Sequence, residues 1–154
     1  MEEAFRNAVE ELKRVDHLIF VSLKYTRTVD VIKNTIHRMI SCYDFGMDAL
    51  LLYAKEKKLT SEVPSIPALK FELLEKIFSE NKELLDYLRF YLDLRKIIKA
   101  EYTKREEYRR HVTMIAHLPD NRNVEVSIDV LREYYDKIKL FVTIIKNTIR
   151  EQND

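Results

Sequence analysis

The stretch SIDVLREYYDKIKLFVTIIKNTI, residues 127–149, carries the clearest structural signal in the sequence. Its apolar residues return every three or four positions, which is the spacing of an amphipathic helix. Ser127 can cap this helix, Asp129 can interact favourably with its dipole, and Val126 with Leu131 can form a hydrophobic staple. The residues predicted to form its buried face are Leu131, Tyr134, Ile138, Phe141, Ile145 and Ile149. The stretch therefore predicts a long helix late in the chain with one face in the core.

Two helices are predicted at the start of the chain by the same apolar spacing. The first runs from Phe5 through Ile19. Its end, LIFVSL at residues 18–23, also fits a buried strand, but no comparable strand is available to pair with it, so a helix is favoured. The second helix begins after Thr28, a suitable N-cap, and runs to about Lys57.

Two further helices are predicted in the middle of the chain. Pro67 suits the first turn of a short third helix that ends at Phe78. SENK, residues 79–82, forms a junction. From Leu84 the apolar spacing continues to Ile115, which predicts a fourth helix of some thirty residues that ends at LPDNRN, residues 118–123.

Five amphipathic helices with short connections predict an all-α fold. We expect an antiparallel bundle of about five helices in a single domain, residues 1–154, with the last helix between the second and fourth. Gly46 lies inside the second helix, where glycine costs about 1 kcal/mol relative to alanine. We attribute it to the close approach of another helix, and a bound ligand is the alternative.

Composition excludes several classes of function. The chain has one glycine, so glycine-rich phosphate and dinucleotide loops are absent. One cysteine, Cys42, excludes an internal disulfide and a multi-thiolate zinc site. The net charge is +1, so nucleic-acid binding would depend on a local basic patch. We expect a cytoplasmic protein with no cofactor, no metal and no membrane association, because no signal-peptide core and no membrane-spanning stretch is evident.

A polar face of the second helix has two interpretations. Asp30, His37 and Asp44 are seven positions apart, so they share one side of that helix. Such a face can hold a divalent metal, or it can be a solvated or interhelical polar stripe. The stripe is favoured, because no matching Glu/His pair accompanies it on another helix.

Two clusters of cations and tyrosines stand out as candidate binding residues. KYTRT, residues 24–28, precedes the second helix and can bind an anion through Tyr25 and Arg27 at that helix N-terminus, or can serve as ordinary capping. KREEYRRH, residues 104–111, is either a solvated helix face rich in charge pairs or part of a site. We expect Arg109, Arg110 and His111 to form an anion-binding surface together with Tyr25 and Arg27. The tyrosines of the late helices can stack on bases or fill the core.

The arginine and histidine spacing in this region resembles that of the HEPN domains (higher eukaryotes and prokaryotes nucleotide-binding). Arg105 precedes His111 by six positions and Arg110 precedes His117 by seven, late in the chain before a final helix. The resemblance implies an all-α HEPN-like bundle, an association with RNA or nucleotides, and a homodimer. In ribonuclease members it implies metal-independent cleavage in which the arginine stabilises phosphorane charge and the histidine transfers a proton. The alternative is a helical interaction protein without chemistry that binds a second copy or another protein.

Overall fold

The computed structural model describes residues 1–150. Helix α1 (Glu2–His17) continues through one π-helical turn (Leu18–Ser22) into the short α2 (Leu23–Tyr25). Helices α3 (Val29–Glu56), α4 (Pro67–Ile77) and α5 (Lys82–Lys99) follow. Three strands, β1 (Glu101–Arg105), β2 (Thr113–His117) and β3 (Asn123–Ser127), then precede the last helix, α6 (Ile128–Arg150). Most of the chain is helical, but the prediction of an all-α bundle is wrong because these strands form a sheet.

The beginning of the chain follows the prediction from apolar spacing. The stretch LIFVSL is helical and mostly forms the π-helical turn, so the choice of helix over strand is confirmed. Helix α3 begins where Thr28 accepts a hydrogen bond on Oγ1 from the Val31 N–H at 3.3 Å. Asn81 caps α5 in the same way, with its Oδ1 accepting from the Leu84 N–H at 3.1 Å. These polar caps fix where the two helices start.

The core is centred on α3, which packs most extensively against α1 and also against α6 and α5. Tyr43 on α3 stacks against Phe141 on α6 with ring centroids 4.5 Å apart. A Cβ atom at Gly46 would lie 2.7 Å from both Ile145 Cδ1 and the nearest ring carbon of Phe141. The explanation of Gly46 by close helix approach is therefore confirmed, since a larger residue would require the Ile145 and Phe141 side chains of α6 to shift.

The sheet replaces the second half of the predicted fourth helix. Its strands are antiparallel in the order β1-β2-β3, with Thr103 opposite Ile115 and Ile115 opposite Glu125. Met114, Ala116 and Val126 face the helices and are buried, which is the two-residue alternation of a strand. The predicted helix therefore ends at Lys99, and the LPDNRN stretch forms the turn between β2 and β3.

Residues other than glycine adopt a left-handed backbone in both turns of the sheet. Glu106 and Tyr108 have φ angles of 53° and 68° in the β1–β2 loop, and Asn121 has 65° in the β2–β3 turn. Glycine is the usual residue for this conformation, which costs other residues about 1–2 kcal/mol. These turns therefore form without glycine, which occurs only once in the sequence, at Gly46. Within residues 1–150, no helix has the length and apolar character needed to cross a membrane.

Candidate phosphate-binding cleft

The KYTRT junction and the β1–β2 loop are in direct contact. The Arg27 carbonyl accepts a hydrogen bond from the Tyr108 N–H at 2.7 Å. Glu107 reaches the start of α3, where its Oε2 accepts from the Val29 N–H at 3.0 Å. That bond, together with the Lys104 ammonium 3.3 Å from the carboxylate, holds the pKa of Glu107 below its usual value. The Glu107–Val29 hydrogen bond thus holds the loop against the junction, although the two residues are 78 positions apart in the sequence.

A cleft of about 210 Å³ lies between this contact and the N-terminus of α6. Four of its side chains are cationic: Lys24, Arg27, Arg110 and Arg132. Its other lining residues are Ile19, Leu23, His111, Ser127, Ile128 and Asp129. Asp129 is the single carboxylate, and its Oδ1 lies 3.8 Å from the Arg132 guanidinium. The cleft therefore concentrates positive charge in a chain that is nearly neutral overall.

The N-terminal end of α6 adds to the positive charge around the cleft. The first N–H groups of a helix have no partner within the helix, and its dipole favours an anion at that end. Ser127 satisfies one of these groups, because its Oγ accepts from the Val130 N–H at 3.2 Å. The predicted capping role of Ser127 is confirmed. Ser127 also lines the cleft.

Arg27 carries an unsatisfied hydrogen-bond donor. Within residues 1–150, its Nε is one of two buried side-chain nitrogen or oxygen atoms that lack a partner, the other being the Tyr43 hydroxyl. Buried donors are paired in the great majority of cases, because leaving one unpaired costs about 1–3 kcal/mol. Arg27 lines the cleft together with three further cationic residues, so an anion in the cleft would be a suitable partner for its guanidinium group.

The structure separates the predicted site residues into three groups. Arg27, Arg110 and His111 line the cleft together. Tyr25 and Arg109 do not line it, although each adjoins lining residues in the chain and is exposed. Three of the five residues predicted to form an anion-binding surface therefore line one cleft, and anion binding there stays a prediction.

Arg105 and His117 belong to the outer face of the sheet instead. The Arg105 guanidinium forms an ion pair with Glu125. His117 contacts Thr103 Oγ1 through Nε2 at 3.0 Å and Asn123 Oδ1 through Nδ1 at 2.8 Å. Neither of the two arginine–histidine pairs, Arg105 with His111 or Arg110 with His117, lines the cleft as a pair. The helical geometry assumed for them is wrong because the residues occupy a hairpin.

The polar face of α3 is divided between solvent and the core. Asp30 and His37 are exposed, whereas Asp44 is half-buried and its Oδ1 accepts from the Tyr91 hydroxyl at 2.6 Å. Burial raises the pKa of the Asp44 carboxyl, and the Tyr91 hydrogen bond opposes that change. Within the described residues, no three His, Cys, Asp or Glu side chains are grouped closely enough to hold a metal. Asp44 is thus part of an interhelical contact.

Lys24 and Arg132 are cleft residues that the sequence did not identify as such. Lys24 lies in the KYTRT stretch, but only its neighbours Tyr25 and Arg27 were selected. Arg132 lies one turn into α6, and Ser127 with Asp129 marked that helix start without showing what lies beside it. The signal that would have found them is the hairpin, since it brings residues 104–111 to the KYTRT junction.

Comparison of the chain with protein-family models, curated proteins and solved structures gives no match.

Proposed function

We propose that the cleft binds a phosphate group of single-stranded RNA or of a nucleotide. The observation that carries the proposal is the convergence of four cationic residues, Lys24, Arg27, Arg110 and Arg132, on one small cleft. Guanidinium groups favour phosphate because their planar donors match two of its oxygens. The Tyr108 N–H donates to the Arg27 carbonyl, so the backbone at Arg27 is held in place before a ligand arrives.

Two exposed tyrosines favour a nucleic acid over a free phosphate ion. Tyr25 is 85% exposed and Tyr108 is 79% exposed, and each belongs to a segment that contributes cations to the cleft. Exposed aromatic rings beside cations are the usual platform for unpaired bases, and each stacked base contributes about 1–3 kcal/mol. Tyr108 also keeps a left-handed backbone, which bulky residues rarely adopt. Its exposed ring and unusual backbone are consistent with a ligand contact.

The size of the cleft limits what it can enclose. Its volume of about 210 Å³ is less than the ~300–1,000 Å³ of a typical small-molecule pocket. A phosphate with part of its sugar is therefore the better fit, and the bases would lie outside on the tyrosines. This is the arrangement expected of a protein that follows a single strand.

RNA cleavage is a second candidate function, and the placement of His111 favours it. His111 lines the cleft beside Arg110, so an imidazole lies near the proposed phosphate position. It could take the proton of the 2′-hydroxyl as that oxygen attacks phosphorus, or protonate the departing 5′-oxygen. Arg110 would balance the charge of the phosphorane. The HEPN resemblance implies the same chemistry. We propose a relationship to that family from this chemistry alone, because the all-α architecture that the resemblance also implies is wrong.

The proposal is tested by titrating a fluorescent single-stranded oligoribonucleotide at several salt concentrations. The wild-type protein should bind, and its affinity should fall as salt rises because phosphate contacts release counterions. Arg110→Ala should weaken binding and reduce the log–log salt slope by about 0.7, the contribution of one phosphate contact to a single strand. Arg89→Ala is the matched control, since Arg89 is an exposed arginine on α5 outside the cleft.

Incubation of the same RNA with wild type and His111→Ala separates binding from cleavage. A cleaving protein gives 2′,3′-cyclic phosphate products that His111→Ala loses while it still binds. Intact RNA with salt-dependent binding supports a binding module without nuclease activity. An absence of binding contradicts the proposal and favours the interaction protein.

A further inference from the structure

The outer edge of β1 is open within the described part of the chain. The sheet has the order β1-β2-β3, so β2 pairs with one edge of β1 and no strand among residues 1–150 pairs with the other. Four of the five β1 residues are exposed, and Tyr102 is half-buried. An open edge presents unpaired N–H and C=O groups that can accept another strand. None of the five residues lines the phosphate-binding cleft.

The sequence of β1, EYTKR, is complementary to itself in the antiparallel direction. With two copies centred on Thr103, Glu101 of one copy lies opposite Arg105 of the other, and Tyr102 lies opposite Lys104. Charged residues on an edge normally deter pairing because like charges meet. Here the arrangement brings opposite charges together at both ends, and directly opposite ion pairs stabilise strands by about 0.2–1 kcal/mol each.

Other registers lose this pairing of opposite charges. A two-fold centre at Lys104 would place two lysines opposite each other, and a centre at Tyr102 would place Glu101 opposite Thr103. The centre at Thr103 keeps Glu101, Thr103 and Arg105 on one face of the joined sheet, because directly opposite residues share a face. That face already holds the Arg105–Glu125 ion pair, so the partner's Glu101 would complete a charge network.

We propose that the chain forms a homodimer in which the β1 edges of two copies pair antiparallel about Thr103. The result is a continuous sheet built from the three strands of each copy. Five residues from each copy make a small interface, so the dimer should be weak and reversible. The proposal is independent of RNA binding, because the β1 edge and the cleft share no residue.

Disulfide trapping provides the test, since the chain has a single natural cysteine that is buried. Cys42 is fully buried in the core, so it adds little background crosslinking. In the proposed dimer the two Thr103 Cα atoms lie about 4.5–5.5 Å apart, within the range of a disulfide. Thr103→Cys should therefore form a covalent dimer under mild oxidation. Glu101→Cys is the matched control on the same strand, because its two copies would lie about 13 Å apart along the strand direction.

We expect at least about tenfold more covalent dimer from Thr103→Cys than from Glu101→Cys, with both variants folded by circular dichroism. Equal yields, or no crosslinked product from Thr103→Cys, would overturn the proposal. Charge reversal gives a second measurement on the reversible dimer. Light scattering at high protein concentration should show less dimer for Glu101→Arg and recovery for Glu101→Arg with Arg105→Glu. No loss with the single change, or no recovery with the double change, would contradict the charge pairing.

Discussion

The helical core and the hairpin–junction contact are held together by different forces. In the core, α3 and α6 meet at Gly46, Tyr43 and Phe141 through apolar packing that leaves no room for a Cβ atom. In the hairpin–junction contact, the Tyr108 N–H and the Glu107 carboxylate make hydrogen bonds to Arg27 and Val29. Apolar packing supplies most of the stability, whereas the polar contact supplies a precise position for charged groups. The candidate site lies at the second region.

Phe141→Ala should have the largest effect on stability and acts on the core. Phe141 is completely buried and stacks on Tyr43, so its removal leaves a cavity that costs about 3–5 kcal/mol. Denaturant unfolding monitored by circular dichroism measures the loss. Leu140→Ala is the control, since Leu140 is the adjacent, exposed residue and its replacement should change the free energy of unfolding by less than about 0.5 kcal/mol. Equal losses for the two variants would contradict the described packing.

Gly46→Ala should have the next largest effect, although alanine is the better helix former. The added methyl would meet Ile145 and Phe141 at 2.7 Å, and overpacking of this kind costs about 1–3 kcal/mol. The gain in helix propensity offsets about 1 kcal/mol of that cost. A net loss of about 1 kcal/mol in the free energy of unfolding is expected in the same denaturant experiment. A more stable variant would mean that α6 lies farther from α3.

The difference between the two regions also explains what the sequence could predict. The faces of α3 and α6, the Ser127 and Thr28 caps and the role of Gly46 follow from local spacing and local chemistry. The hairpin has weaker local signals, because Val112, Met114 and Ala116 alternate over only a few residues. Apolar residues before and after them also fit the three- to four-residue spacing of a helix. The predicted fourth helix was therefore longer than the observed α5.

The site depended on information that no local stretch of sequence contains. Tyr25, Arg27 and the 109–111 segment were selected because they combine cations with aromatic or titratable groups. The convergence of Arg27, Arg110 and His111 accompanies the Tyr108–Arg27 and Glu107–Val29 bonds, each of which joins residues about 80 positions apart. Arg132 joins the cleft only because α6 starts directly after β3. The sequence therefore predicted that Arg27, Arg110 and His111 lie together, whereas it did not predict the places of Lys24 and Arg132 in the cleft.

Glu107→Ala should loosen the hairpin–junction contact and leave the core unchanged. It removes the acceptor of the Val29 N–H, so hydrogen exchange at Val29 and Tyr108 should accelerate while exchange at Phe141 does not. Glu106→Asn is the control, because it removes the neighbouring carboxylate and places at φ 53° a residue that tolerates it. Unchanged exchange at Val29 would contradict the anchoring role of Glu107.

The same contact should depend on pH in a defined direction. The pKa of Glu107 is lowered in the folded chain, chiefly by the Val29 N–H, so folding favours the charged carboxylate. Its stabilising contribution is complete above the ordinary glutamate pKa of about 4.3 and is lost as pH falls through the lower folded value. Val29 amide exchange, corrected for its intrinsic pH dependence, should therefore show constant protection from neutral pH down to about 5 and weaker protection in acid. Loss of protection near neutral pH would contradict this assignment.

Tyr108→Asn should have the smallest effect on stability and a clear effect on binding. Asparagine tolerates the left-handed backbone of this position, so the free energy of unfolding should change little. Loss of the exposed ring removes a stacking platform worth about 1–3 kcal/mol, which corresponds to roughly 5- to 150-fold weaker RNA binding. Fluorescence anisotropy measures the affinity. Unchanged affinity would remove Tyr108 from the proposed RNA path without affecting the cationic cleft.

Nuclear magnetic resonance tests most directly whether Arg27 and the cationic cleft that it lines bind a phosphate group. A short single-stranded oligoribonucleotide is titrated into ¹⁵N-labelled protein while the Arg27 Nε–H signal is followed. We predict that this signal shifts and exchanges more slowly with solvent at saturation, together with shifts in the amides of Ile128 and Asp129 at the start of α6. RNA binding that leaves the Arg27 Nε–H and these amides unchanged, or an absence of RNA binding, would contradict the claim.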